Sequence, residues 1–404
     1  MFASFQTYPA DPIFSLLPRF QKDDRPRKVN LGIGLYYDEQ GELPVLPSVR
    51  EALTNIHTQS KPSSYLPMEG HSDYRRAVQQ LLFGMNCPVV ASGKVSTIQT
   101  LGGTGALRIG ADVLKRHFPK SQVWVSEPTW ENQLAIFKSA GFDVHRYPYY
   151  NPHSQSIDFE SLVSCLKGLA PRSIIVLHAC CHNPTGLDLS TQQWDEISSL
   201  AAENSLIPFF DFAYQGFGNG IEEDAYAIRA MARCGVPCLV ANSFSKNFAL
   251  YGERCGALTF LCPTPEQAEL AYAEMVNTVR ASYSNPPSHG AYIIANVLLD
   301  STLYELWRSE VEDMRIRLQS MRTVLVEALA RDNHGHRFRH LLETRGMFAL
   351  TGLNARQVET LRDEFAIYLL DSGRLCFSGL NVKNVERVAS SLARVSTERT
   401  PISG

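Results

Sequence analysis

The chain has 404 residues, 44% of them apolar and 20% charged, which excludes a disordered or fibrous protein and allows a large core shared between two domains. Its formal net charge of −3 supplies no general basic field, so neither nucleic acid nor an acidic membrane surface is an expected partner, and small-molecule chemistry is the default. Nine cysteines without repeating spacing, an opening MFASFQTYPADP with no basic stretch before an apolar run, and no segment long enough to span a membrane set the expectation of a cytoplasmic protein with reduced thiols.

Between residues 94 and 262, the short β-branched or aromatic runs KVSTIQT, SQVWVS, SIIVLHAC, LIPFFDFA, PCLVANSF and CGALTFLC alternate with longer helical patterns. That alternation predicts a mostly parallel sheet covered by helices, with ligands beyond the carboxyl ends of its strands. The first run passes into Thr100, Leu101, Gly102, Gly103, Thr104 and Gly105, where a helical pattern opens. Backbone N–H groups and the helix dipole suit an anion there, although a plain tight turn has the same look. The second run ends in Glu127-Pro128-Thr129-Trp130, offering an indole that stacks on a flat ligand or packs as a lid.

The third run leads into His178, Cys180, Cys181, His182, Asn183, Pro184, Thr185 and Gly186. Asn183 is suited to donate to a ring oxygen; adjacent cysteines cannot both reach a tetrahedral ion without strain, so no metal is expected. PFFDFAY closes on Asp211, with Tyr214 three positions on as a second donor. A buried carboxylate needs a cation, and a protonated pyridine nitrogen supplies one; capping the next helix is the plainer role for an isolated Asp. After CLVAN come Ser243, Ser245 and Lys246, and eight positions beyond the lysine Arg254. A lysine flanked by small hydroxyls can form an imine while its neighbours and a two-pronged guanidinium hold a phosphate, yet a surface lysine in a serine-rich loop shares the tetrapeptide.

Arg280 in VRASYSNPP and Arg374 in DSGRLCFSG sit among small or turn-forming residues, which suits a fork aimed at a carboxylate as well as a solvated surface arginine. Between them, residues 301–331 carry apolar residues at helical spacing and neither Gly nor Pro, predicting one long amphipathic helix. A His/Arg-rich loop follows, in which His334, His336 and His340 read as solvated and not as ligands. GMFALTG, a helix through ARQVETLRDEFAIYLL and a last helix near NVERVASSLARV then predict a small α+β domain. The predicted division is 44–313 for a large domain, and 1–43 with 314–404 for an N-terminal arm and small domain. Cys234 and Cys238 read as packing thiols.

Together, NLGIGLYYDEQG, SYLPMEG, TLGGTGAL, PTWEN, CCHNPTG, DFAYQGFG, SFSK, YGERCG, YSNPP and GMFALTGL, in this order over nearly the whole chain, resemble the class I aminotransferases of pyridoxal-phosphate fold type I. The likeness is nearest to the bacterial aromatic amino acid aminotransferases, beside the aspartate aminotransferases. It implies an α/β fold, a large domain around a mostly parallel sheet plus a smaller α+β domain, and pyridoxal 5'-phosphate as cofactor. The implied reaction moves the amino group of phenylalanine or tyrosine to 2-oxoglutarate, with activity on aspartate too; a plain aspartate aminotransferase is the alternative. Lys246 would form the Schiff base, Asp211 pair with the pyridinium, Asn183 and Tyr214 hold the phenolic oxygen, and Trp130 stack on the ring. Gly103, Thr104, Ser243, Ser245 and Arg254 would bind the phosphate, helped by Tyr65 from the second subunit of a homodimer. Arg374 would clamp the substrate α-carboxylate, Gly34 line the pocket, and Arg280 from the neighbour meet an acidic side chain.

Departures from the family pattern are Gln133, where relatives often carry a histidine behind the pyridinium carboxylate, and Cys255 in place of an aliphatic residue. Leu35, Tyr37 and Leu43 match the apolar entrance of the aromatic enzymes, whereas Ser64, Thr104 and Asn285 do not match it or lean toward the aspartate type. A lyase of the same fold would share the cofactor residues without needing Arg280 and Arg374 as a pair. A cofactor-sensing regulator would need a DNA-binding module, for which the first thirty residues are too short and proline-rich. A nicotinamide dehydrogenase would need the dinucleotide glycine fingerprint that TLGGTGAL lacks.

Overall fold

The computed structural model describes residues 12–58, 64–331 and 335–397. The chain divides into two units, Pro44–Arg317 and the terminal stretches Met1–Leu43 with Leu318–Gly404.

The larger unit is built on seven strands: β1 (Val95–Leu101), β2 (Val123–Glu127), β3 (Val144–Pro148), β4 (Ile174–His178), β5 (Ile207–Phe212), β6 (Cys238–Ser243) and β7 (Cys255–Leu261). They lie in the order β1-β7-β6-β5-β4-β2-β3. Strands β3, β2, β4, β5 and β6 pair in parallel, and β7 runs antiparallel to its neighbours β6 and β1. Six strands therefore end at one rim, and the seventh begins there. This is the mostly parallel α/β sheet the alternating runs predict. The inner strands β4 and β6 are buried at every position, as strands covered on both faces must be.

Sequence reading misses β3. It is an edge strand paired with β2 alone, only Tyr147 in it is buried, and it ends in Pro148, so no apolar run marks it. The helix Gly102–His117 follows β1 and packs through Ile109, Gly110 and Val113. A Cβ on Gly110 would lie 2.4 Å from Phe209 Cζ, so glycine lets this helix settle close on β5. Phe209 in turn meets Phe137 edge-on at 5.8 Å, inside the core that holds the helix start in place at the rim.

The smaller unit contains the parallel pair Val29–Asn30 with Ile367–Tyr368 and the antiparallel pair Phe348–Leu350 with Arg374–Cys376, beside the helices Ala355–Phe365 and Val385–Thr397. The helix expected to run through ARQVETLRDEFAIYLL stops at Phe365. Ala366 turns left-handed at φ +55, and the buried Ile367 and Tyr368 then pair with Val29 and Asn30. Apolar residues in FAIYLL suit a buried helix turn or a strand equally; a partner strand distant in sequence decides between them. The long helix spans Ser301–Arg331.

Two further expectations need correction. His340 is not solvated: its Nε2 donates to the Leu350 carbonyl at 2.9 Å, and burial lowers its pKa. His336 is exposed, and His334 lies outside the described residues. Cys234 is exposed and packs nothing in, whereas Cys238 is buried. Among the described residues no helix is long and apolar enough to cross a membrane.

Candidate active site

β1 ends at Leu101, and Gly102 enters the following helix at φ +67 with its N–H bonded to the Arg254 carbonyl at 2.9 Å. No side chain caps this helix start, so its first-turn N–H groups at Gly103 and Thr104 face the rim. The reversed strand β7 brings Arg254 to the same place, because the next residue, Cys255, is the register partner of Leu101. Arg254 Nη1 lies 3.4 Å from Ser245 Oγ and 2.9 Å from the Tyr251 carbonyl. The hydroxyls of Ser243 and Ser245, both buried, are 3.2 Å apart. A Cβ on Gly102 would meet Arg254 Nη2 at 2.7 Å, and one on Gly103 would meet Ser243 Cβ at 3.2 Å. The two glycines thus keep open the space where a helix terminus, two hydroxyls and a guanidinium converge, a donor set suited to a phosphate.

Two strands inward, β5 presents Asp211 opposite His178 of β4, both buried. Gln133, fully buried, donates through Nε2 to Asp211 Oδ2 at 2.7 Å and lies 3.2 Å from His178 Nε2. Thr129 Oγ1 donates to Gln133 Oε1 at 2.6 Å. Burial lowers the pKa of His178 against the pull of Asp211, and burial with the neighbouring His178 lowers that of His182 well below the ordinary value. His182 is held between Ser126 Oγ and Thr185 Oγ1, each at 2.8 Å, under the stacked ring of Tyr149. Both imidazoles are therefore neutral at physiological pH. Asp211 is a buried carboxylate hydrogen-bonded to a neutral amide and 3.9 Å from a neutral imidazole, a setting that suits a bound cation.

Lys246 follows directly on the hydroxyl pair at the end of β6, half-buried, its Nζ 5.5 Å from the centroid of the Tyr214 ring. Tyr214 and Asn183 are buried in the loops after β5 and β4. Trp130 is half-buried at the start of the helix Glu131–Ser139, after β2, and packs on the core. The chemistry of this set matches one molecule. A ring nitrogen that carries a proton would satisfy Asp211, a ring oxygen would suit Asn183 and Tyr214, an aldehyde would suit the Lys246 amine, and a phosphate would suit the cradle. Pyridoxal 5'-phosphate has all four.

Tyr65, 92% exposed, lines a surface cavity of about 740 Å³ with Ser64, Arg280 and Asn285, and none of its lining residues belongs to the Lys246 cluster. Arg280 Nη1 donates to Ser284 Oγ at 2.5 Å. In the smaller unit Arg374 is buried, donates from Nη2 to the Gly32 carbonyl at 2.6 Å, and rests 4.0 Å over the Phe348 ring. A Cβ on Gly34 would come within 2.9 Å of Phe348 Cζ. Phe348 is thus a supporting residue that sequence reasoning missed; its signal was its place in GMFALTGL. In the same unit Leu43 is exposed and Tyr37 half-buried. Cys255 is a packing thiol, pushed by burial up to about 12 and in close contact with Gly290.

Among the described residues, Cys180, Cys181 and Asp224 come close enough to hold a metal ion. Asp224 is committed otherwise: its oxygens accept from the N–H groups of Gly216, Gly218 and Asn219 at 2.8, 2.9 and 2.8 Å. Burial also raises Cys180 well above the ordinary thiol value, so it holds its proton.

Residues 26–392 match the model of the aminotransferase class I and II family. The chain belongs to that family and is an aminotransferase. It is 52% identical over 396 residues to the aromatic-amino-acid aminotransferase of Escherichia coli K12, covering 98% of this chain and 100% of that protein. An aromatic-amino-acid aminotransferase from Burkholderia pseudomallei, solved covalently bound to pyridoxal phosphate, superposes with a TM-score of 0.95 at 44% identity, covering 98% of this chain and 99% of the other. The psychrophilic aromatic amino acids aminotransferase of Psychrobacter sp. B6, cocrystallised with aspartic acid, superposes with a TM-score of 0.96 at 45% identity, covering 98% and 100%.

Proposed function

We propose that this chain is a cytoplasmic homodimer that transfers the amino group of phenylalanine and tyrosine to 2-oxoglutarate and also accepts aspartate. The observation that carries the reading is one sheet rim holding an amine, a buried carboxylate hydrogen-bonded to a neutral amide, and an open phosphate cradle. The 52% identity to an enzyme named for aromatic amino acids supports the aromatic substrate, and the related enzyme cocrystallised with aspartic acid supports the acidic one.

The cofactor is pyridoxal 5'-phosphate, which when bound supplies an aldehyde that links covalently to amines and a ring that draws electron density from the substrate Cα. Gly103, Thr104, Ser243, Ser245 and Arg254 grip its phosphate. Asp211 holds a proton on the ring nitrogen, Asn183 and Tyr214 hold the phenolic oxygen, and Trp130 covers the ring face. Lys246 is the amine that would hold the aldehyde. The same Nζ is the base placed to carry the Cα proton. Arg374, fixed by Gly32 and Phe348, clamps the α-carboxylate that every amino acid shares, and Gly34 leaves room beside it. Tyr65 and Arg280, exposed on one cavity away from Lys246, serve the partner subunit's site, Tyr65 at the phosphate and Arg280 at an acidic side chain.

A plain aspartate aminotransferase is the second reading, favoured by the polar Ser64 and Asn285 beside Arg280. Steady-state kinetics with phenylalanine, tyrosine and aspartate as donors decides: comparable kcat/KM for aromatic and acidic donors is expected, and a negligible aromatic rate leaves the second reading.

A further inference from the structure

Gln133 is not one of the residues assigned a role above, yet every polar atom of its side chain is engaged. The hydroxyl of Thr129 donates to Oε1 at 2.6 Å, while Nε2 stands 2.7 Å from Asp211 Oδ2 and 3.2 Å from His178 Nε2. This pattern fixes the amide's orientation: turned over, Oε1 would face the Asp211 carboxylate and the N–H groups would meet a hydroxyl that is better used as a donor. The side chain is fully buried on the helix after β2, so no water substitutes for it. The titratable groups facing this chain are Asp211 on β5, His178 on β4 and His182 in the loop beyond, with Tyr149 stacked on His182.

We propose that Gln133 is a positioning residue: held by Thr129, it fixes the Asp211 carboxylate for the cofactor's ring nitrogen through a donor that has no titratable proton. The inference rests on the assignment of Asp211 made under Proposed function. A buried carboxylate that accepts a hydrogen bond is a weaker base than one that does not, so it leaves the ring nitrogen protonated. An amide does this at any pH. Burial, which keeps His178 and His182 neutral, adds no competing cation as the medium is acidified to moderate values.

The test uses the purified holoenzyme and three variants, Gln133→Leu, Thr129→Val and Asp211→Asn, with two readouts besides turnover: the dissociation constant of pyridoxal 5'-phosphate, and the pH midpoint of the bound cofactor's visible absorption. Gln133→Leu is expected to weaken cofactor binding by about tenfold, the usual weight of a hydrogen bond to a charged group. It also moves the absorption midpoint upward, since a less firmly protonated ring nitrogen withdraws less charge from the covalent link to Lys246. Gln133→His, which restores an N–H donor, returns the affinity toward the parent value. Thr129→Val, which removes only the group orienting the amide, shifts both readouts in the same direction by a smaller factor and serves if Gln133→Leu does not fold. Unchanged affinity and midpoint in Gln133→Leu or Thr129→Val, with Asp211→Asn still severely impaired, overturn the role of Gln133 and leave Asp211 standing. Unchanged readouts in Asp211→Asn overturn the underlying assignment itself.

Discussion

At the scale of single residues, the proposed cofactor cradle depends on atoms that are missing. Gly102 is left-handed, and a Cβ there would press on Arg254 Nη2 at 2.7 Å. Gly102→Ala therefore displaces the guanidinium as well as straining the backbone, and cofactor affinity is expected to fall by about tenfold or more. Equilibrium binding of pyridoxal 5'-phosphate checks this; parent affinity would show that Arg254 does not hold the phosphate. Arg374→Lys loses both the planar fork and the stacking on Phe348, so KM should rise by about tenfold for aromatic and acidic donors alike while the bound cofactor's absorption stays unchanged. A rise confined to aspartate would assign Arg374 to the side chain instead. Asp211 could be picked out in the sequence because a charge closing an apolar run stands out, and Lys246 and Arg254 because a lysine among small hydroxyls is followed by an arginine eight positions on. Gln133 and Phe348 could not be given roles, since a neutral amide and a phenyl ring announce nothing until their neighbours are known.

At the scale of elements, the sheet was readable wherever a strand is buried on both faces and unreadable where it is not. β4 and β6 are buried throughout and open on the apolar runs IIVL and CLVA; β3, with one buried residue, is invisible without β2 beside it. The early stop at Phe365 has the same cause, a pairing decided far away in the chain. Its left-handed Ala366 permits a direct check: Ala366→Gly relieves the strain of φ +55 and should raise stability by about 1 kcal/mol, and a lower unfolding temperature would contradict the left-handed cap. The histidines at and after the end of β4 make stability depend on pH. Their folded pKa values lie below the ordinary 6.5, so the unfolded chain binds more protons on acidification. Their contribution is fully present above that value and is lost as pH falls below it. His182→Gln should flatten the fall in unfolding temperature between about pH 7.5 and 5, and an unaltered slope would mean that His182 already titrates normally.

At the scale of the whole molecule, the order of motifs along the chain made the family legible, whereas the proposed sharing of residues between subunits cannot be read from one chain. Tyr65 and Arg280 lie exposed on a cavity that holds none of the Lys246 cluster. If Arg280 serves the neighbour, hybrids of a Lys246→Ala chain with an Arg280→Ala chain contain one site with both residues intact. Aspartate turnover in the hybrid should then exceed that of either parent, and no gain would place Arg280 in the site of its own chain. The claim on which all else depends is the covalent attachment of the cofactor to Lys246. Borohydride reduction of the holoenzyme followed by peptide mass mapping should find the pyridoxyl group on the peptide carrying Lys246 and on no other; a label on a different lysine, or none at all, would contradict the account.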